Sequence, residues 1–236
     1  EDYVIRYLLK MKKIIIIPSL LLAAKAFSQR PNTGMWLNAQ VPVSFTKKWQ
    51  WHNDISYRTL GNSVAPLQYE YRTGLRYNIN TVWSVAAGSA FFRTRNGFLK
   101  QHDEFGKEFR LWQELTYRKN ITKPFQLYIR LRTEQRNFAA TSTKVSFNSN
   151  RYRIKLQQQY QVNKHWALQL ADEYMQQSVN SSLNFDQNRL FVNAVYLLPH
   201  QTSVSTGYMW VKRPENISQH ILNITFQKTI LLHGKQ

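Results

Sequence analysis

From residue 33 to the end of the chain, apolar and polar side chains alternate with a period of two residues, and this repeats in segment after segment. In Phe125-Gln126-Leu127-Tyr128-Ile129-Arg130-Leu131-Arg132, the residues Phe125, Leu127, Ile129 and Leu131 share one face, and Gln126, Tyr128, Arg130 and Arg132 share the other. Phe109, Leu111 and Leu115 oppose Glu108, Arg110 and Glu114; Ile154 and Leu156 oppose Arg153 and Lys155; Leu222, Ile224 and Phe226 oppose Asn223, Thr225 and Gln227. A two-residue period belongs to an extended strand with one apolar face and cannot be satisfied by a helix. Eleven such segments stand out, at 33–45, 49–59, 67–78, 82–93, 107–119, 125–138, 150–162, 166–177, 187–198, 202–212 and 219–232.

Each segment is about ten to fourteen residues, where ordinary strands average about five or six and a tilted strand crossing a bilayer needs about 9–11. The connections alternate in length. Short turns fall near residues 46–48, 79–81, 120–124, 163–165 and 199–201, and longer polar loops at 60–66, 94–106, 139–149, 178–186 and 213–218. Trp49, Trp51, Trp83, Phe125 and Trp166 follow short turns on the apolar face, where an interfacial girdle belongs. A soluble sandwich or lipocalin-like barrel would also alternate, but strand length, loop asymmetry and the placement of the aromatics favour a membrane. The expected fold is therefore all-β: a transmembrane antiparallel up-and-down β-barrel of about 10–12 strands. Even strand numbers with both termini on one side are the bacterial rule, so eleven segments leave the first strand, which contains Pro42, in question.

The N-terminal region has a different character. Met11-Lys12-Lys13, an apolar run from Ile14 to Ala24 and then Ala26-Phe27-Ser28 have the layout of a secretory signal peptide. The run is too short to span a bilayer, which takes about 20 apolar residues. The expected organisation is an upstream extension at 1–10, a signal peptide at 11–28 and the barrel at 29–236, delivered to the outer membrane of a Gram-negative cell.

The leader ending Phe27-Ser28-Gln29 is followed by Gly34-Met35-Trp36-Leu37-Asn38-Ala39 and the lysine turn Lys47-Lys48-Trp49. Tyr117-Arg118-Lys119 and the run from Leu127 to Arg136 complete the pattern. Together these resemble the bacterial outer-membrane β-barrel family catalogued as domain of unknown function 2490. The resemblance implies the fold and the location across the whole barrel, and it brings no assigned activity or catalytic motif.

With the apolar face toward lipid, the polar face lines a lumen. The candidate lining residues are Arg72, Arg76, Arg110, Glu114, Arg118, Arg130, Arg132, Glu134, Arg136, Arg151 and Arg153, accompanied by Lys155, Glu70, Glu108 and Glu173. Barrels of 8 strands are filled and aqueous channels appear at 16–18, so this lumen should be narrow. An Arg–Glu lattice that fills and stiffens the barrel is the plainest expectation. The excess of bases also suits a narrow passage for small anionic solutes, because rings of Arg or Lys select anions. An accessory barrel working through an unidentified envelope protein is the alternative.

Other chemistry has little support. The chain has no cysteine, which removes disulfides, thiolate ligands and thiol nucleophiles. The six histidines lack ligand spacing, so no metal site is expected. No phosphate loop or zinc-protease motif occurs, and no cofactor is expected. For a lipid hydrolase, Ser218 and His220 are the one Ser–His pair on a single strand face, with no orienting carboxylate to assign. His52 and Asp54 share the inward face, as neighbours that would hydrogen-bond locally. Lys+Arg 32 against Asp+Glu 13 gives a formal +19. For an exported barrel, that charge points to lumen pairing and outer-membrane lipid as partner in preference to nucleic acid.

Overall fold

The computed structural model describes residues 32–61, 66–95 and 104–232. The upstream extension and the signal peptide at 1–28 lie outside the described residues, as do His102, His233 and most of loop 94–106. Among the described residues the regular structure is entirely strand, in the order β1 (Thr33–Gln40), β2 (Val43–Ser44), β3 (Trp49–Thr59), β4 (Pro66–Asn78), β5 (Trp83–Arg95), β6 (Phe105–Asn120), β7 (Phe125–Phe138), β8 (Phe147–Gln161), β9 (Trp166–Val179), β10 (Ser182–Leu198), β11 (Thr202–Lys212), β12 (Ser218–Lys228) and β13 (Ile230–Leu231). They form one sheet in sequential order, closed on itself by β1 lying between β12 and β3.

β2 continues β1 and β13 continues β12, so the barrel has 11 strands. The break in the first strand is at Pro42, which has no N–H to give the ladder. The ladder nevertheless passes it on both sides: Val41 N donates to Asn53 O at 2.8 Å, and Pro42 O accepts from Ile230 N at 2.9 Å. The segment containing Pro42 is thus a single crossing. An odd number of crossings makes the first and last strands run in the same direction. The β1–β12 seam is accordingly parallel, from Thr33 opposite His220 to Gln40 opposite Gln227, and β13 pairs with β2 in the same sense. The expectation of an antiparallel barrel holds for every other pairing and is corrected at this seam.

A second correction concerns 178–186. Its polar composition suggested a loop, but β9 and β10 continue to a two-residue turn at Asn180 and Ser181, both with positive φ (49° and 66°). That backbone is the hairpin turn whose twist matches the strands, and Asn tolerates it well. With strands of 14 and 17 residues, the hairpin is longer than a membrane crossing requires. Beyond the apolar belt, neither face of a strand needs apolar residues, so no alternation marks it.

Three of the five short turns share a local device. Thr46, Asn80 and Asn163 each stand three residues before a tryptophan, and the side-chain oxygen of each accepts backbone N–H bonds that fold the turn. Asn80 Oδ1 accepts from Val82 N and Trp83 N at 2.8 Å, and Asn163 Oδ1 accepts from His165 N and Trp166 N at 2.9 and 3.0 Å. Thr46 Oγ1 does the same for Lys48 N and Trp49 N. Each tryptophan then begins a strand opposite a tyrosine: Trp49 with Tyr77, Trp83 with Tyr117 and Trp166 with Tyr196, at 4.8, 5.0 and 4.7 Å between ring centroids. Above this ring the outer face is apolar, with Ile55, Leu168, Leu170 and Val192 all more than half exposed. A soluble protein buries such residues; here much of the buried interior is Glu and Arg.

Candidate functional site

Alternation turns the polar face of β3–β10 inward, and register decides which charges meet. Glu114 on β6 lies opposite Arg132 on β7, and it accepts from Arg132 Nη2 at 2.5 Å and Arg76 Nη2 on β4 at 3.2 Å. Thr116 Oγ1 donates to the same carboxylate at 3.1 Å. Glu134 on β7 accepts from Arg110 on β6 at 3.0 Å and Arg153 on β8 at 2.5 Å, with Arg132 and Arg151 each 3.9 Å away. Glu173 on β9 holds Arg153 at 2.7 Å, Arg130 by a direct hydrogen bond and Arg189 on β10 at 3.6 Å. Glu108 clamps Arg110 and Arg136, both at 2.6 Å, and Glu70 binds Arg58 and Arg72. Each carboxylate thus ties together two to four strands. Arg is suited to this because its planar fork reaches two acceptors at once.

Rings back the guanidinium groups. Arg110 lies over Phe92 at 3.7 Å, Arg132 over Trp112 at 5.1 Å, and both Arg58 and Arg189 over Trp36 at 4.1 and 4.8 Å. Trp112 lies across a cross-strand glycine pair, Gly74 and Gly88. A Cβ at Gly88 would fall 2.1 Å from Thr73 O and 2.8 Å from the Trp112 ring, so the indole occupies the place of side chains there.

A cavity of about 1090 Å³ runs through this interior, lined from Lys144 and Val145 at the long-loop rim to Thr229 and Leu231 at the short-turn rim. Toward the short turns its wall turns mostly to amides, with Gln126, Gln157, Gln159, Gln169 and Asn223 beside Arg118. The wall of β11, β12 and β1 is different again: Met209, Val211, Ile221 and Trp36 pack into a small apolar cluster.

The structure places the sequence candidates as follows. Arg110, Glu114, Arg132, Glu134, Arg136, Arg151 and Arg153 are buried in the lattice. Arg72, Arg76 and Arg130 line the cavity half-buried, and Arg118 lines it exposed, 5.5 Å over the Tyr128 ring. Lys155 stands 4.9 Å over Phe191. His52 Nε2 is 3.0 Å from Asp54 Oδ2. Three members of the lattice were missed. Arg58 is in phase with Asp54 and Ser56, and Arg189 with Gln187 and Asn193, so the alternation would have found both. Asp186, 2.8 Å from Arg151, sits inside the bulge between Phe185 and Gln187, where the parity shifts and no sequence signal remains.

Between the rims, twelve bases (the eleven arginines just placed in the lattice or along the cavity beside Glu and Asp, that is Arg58, Arg72, Arg76, Arg110, Arg118, Arg130, Arg132, Arg136, Arg151, Arg153 and Arg189, with Lys155) face seven acids (Asp54, Glu70, Glu108, Glu114, Glu134, Glu173 and Asp186). Arg76, Arg130 and Arg132, which converge on Glu114, each keep a buried guanidinium nitrogen with no hydrogen-bond partner in the protein. On the outer face, His220 Nδ1 meets Tyr208 Oη at 2.6 Å, so the histidine that could have served Ser218 is engaged by a phenol. Among the described residues, no group of three His, Cys, Asp or Glu gathers as metal ligands would.

An apolar exterior, a tryptophan–tyrosine ring and a charged interior cavity define a porin-like transmembrane β-barrel. The chain belongs to the family described as protein of unknown function (DUF2490), whose model matches residues 33–218. Among solved structures it is similar to the NanC porin in its rhombohedral crystal form, with 12% sequence identity and a TM-score of 0.51 over 79% of this chain and 93% of that one. At that identity the likeness is one of fold. A search of curated proteins found no match.

Proposed function

We propose that the protein is an outer-membrane pore for small anionic solutes. The observation that carries this reading is the surplus of bases over acids along a cavity lined from rim to rim. A buried charge without a counter-charge is costly, so the surplus asks for water or an anion. Guanidinium nitrogens left over around Glu114 are donors of the kind that carboxylate or phosphate oxygens accept. The likeness to a porin supports the outer-membrane location and the pore.

The test is conductance of the folded chain in a planar bilayer under a potassium chloride gradient. Discrete steps with a reversal potential of the sign for chloride preference are expected. Arg130→Ala/Arg132→Ala should shift that potential toward zero. A folded, inserted protein that never conducts would sink the pore and leave a structural barrel. That second reading is favoured by one specific observation, the clamping of Glu134 and Glu173 by arginines from three strands each.

A further inference from the structure

The basic residues of this barrel are sorted by type as well as by place. At the short-turn rim stand Lys47, Lys48, Lys119, Lys123 and Lys164, all exposed, and Lys228, half-buried. Among the described residues the arginine nearest that rim, Arg118 beside Lys119, faces inward over the Tyr128 ring, and every Asp and Glu lies in the lumen, on the outer wall or toward the long-loop rim. Between the rims the lumen is the reverse, with eleven arginines and the single lysine Lys155. Arginine's rigid fork suits fixed carboxylates inside. Lysine's compact ammonium on a flexible stem suits a mobile, hydrated counter-charge at a surface.

The lysines are also placed at one depth. Lys47 and Lys48 immediately precede Trp49, Lys164 precedes Trp166 by two residues, and Lys119 continues the outward face of Tyr117. Lys48 Nζ is 6.0 Å from the Tyr77 ring centre. Those rings are the girdle that sits among lipid headgroups, so the ammonium groups stand at the level of the phosphates just below.

We propose that the short-turn rim is a binding surface for anionic phospholipid headgroups in the leaflet it faces. A ring of lysines with no carboxylate among them attracts such lipids additively and is screened by salt. The rim would gather a shell of anionic lipid, which fixes the barrel's depth and its orientation across the bilayer. This inference shares with the proposed function only the placement in a membrane. A barrel that selects anionic lipid but never conducts would sink the pore and leave the rim assignment standing.

The experiment reconstitutes the folded full chain in phosphatidylcholine bilayers containing trace spin-labelled phosphatidylglycerol or phosphatidylcholine. It measures the fraction of each label immobilised by the barrel. Wild type should hold the glycerol lipid on the order of threefold or more over the choline lipid, less at high salt. The variant K47Q/K48Q/K119Q/K123Q/K164Q should bring the ratio near one, while K107Q/K144Q/K212Q at the other rim leaves it unchanged. Unheated gel migration checks folding. If the fivefold variant does not fold, K47Q/K48Q and K119Q/K123Q should each lose about half the preference on a logarithmic scale. Equal immobilisation of the two lipids by wild type, or an unchanged ratio in the rim variants, would overturn the proposal. So would displacement of the labelled lipid by soluble polyphosphate at equal phosphate concentration, which would assign the rim to a soluble polyanion.

Discussion

Two walls of the same barrel solve the problem of a buried interior in opposite ways. β6, β7 and β8 turn Glu108, Arg110, Glu114, Arg130, Arg132, Glu134, Arg136, Arg151, Arg153 and Lys155 into the lumen, and they are held to each other by ion pairs. β11, β12 and β1 turn in Gly207, Met209, Val211, Ile221, Asn223 and Trp36, with no formal charge, and are held by close packing. The uncharged wall is the one that contains the parallel seam. Trp36 joins the two regimes, because its ring carries the guanidinium groups of Arg58 and Arg189 from the strands that flank the seam wall. The contrast makes the lumen positive on one side and neutral on the other.

The two walls are told apart most sharply at Glu134. Glu134→Ala leaves Arg110 with Glu108 alone and Arg153 with Glu173 alone, and removes a carboxylate 3.9 Å from both Arg132 and Arg151 in the buried lattice, which should lower stability by about 3–5 kcal/mol. Urea unfolding of the barrel in vesicles reads this directly. Wild-type stability would mean that water, and not the carboxylate, neutralises the charged wall. On the other wall, Met209 is fully buried, and Met209→Ala should cost about 2–5 kcal/mol in the same assay without moving the reversal potential. A shifted potential there would show that the neutral wall also governs charge selection. Gly88→Ala, which pushes a methyl against Thr73 O and the Trp112 ring, should cost about 1–3 kcal/mol. Smallest of the four, Arg189→Met removes one of the two cations over Trp36 while Arg130 and Arg153 still hold Glu173. About 0.5–2 kcal/mol is expected, and a larger loss would mean that the seam depends on that contact.

The crossings and their inward faces could be read from the chain because alternation is local: Phe125, Leu127 and Ile129 announce the lipid face of β7 whatever lies beside it. That periodicity also carries Arg58 and Arg189, which went unrecognised although their strands were assigned. It fails where the physical cause of alternation stops. Past the apolar belt, Leu183 to Gln187 have no lipid to face, so the β9–β10 hairpin looked like a loop. At the bulge after Phe185 the parity itself changes, which hid Asp186.

By itself, then, the sequence determined a run of strands with lipid on one side and arginine on the other, and turns that end in tryptophan. These follow from the period of the backbone and from side chains within three residues of one another. Tertiary structure decided how many strands close the barrel, that the seam is parallel, and which arginines each carboxylate holds. Those depend on register between segments as far apart as Trp36 and Asn223, and no local pattern encodes the register of two strands that meet only when the sheet closes.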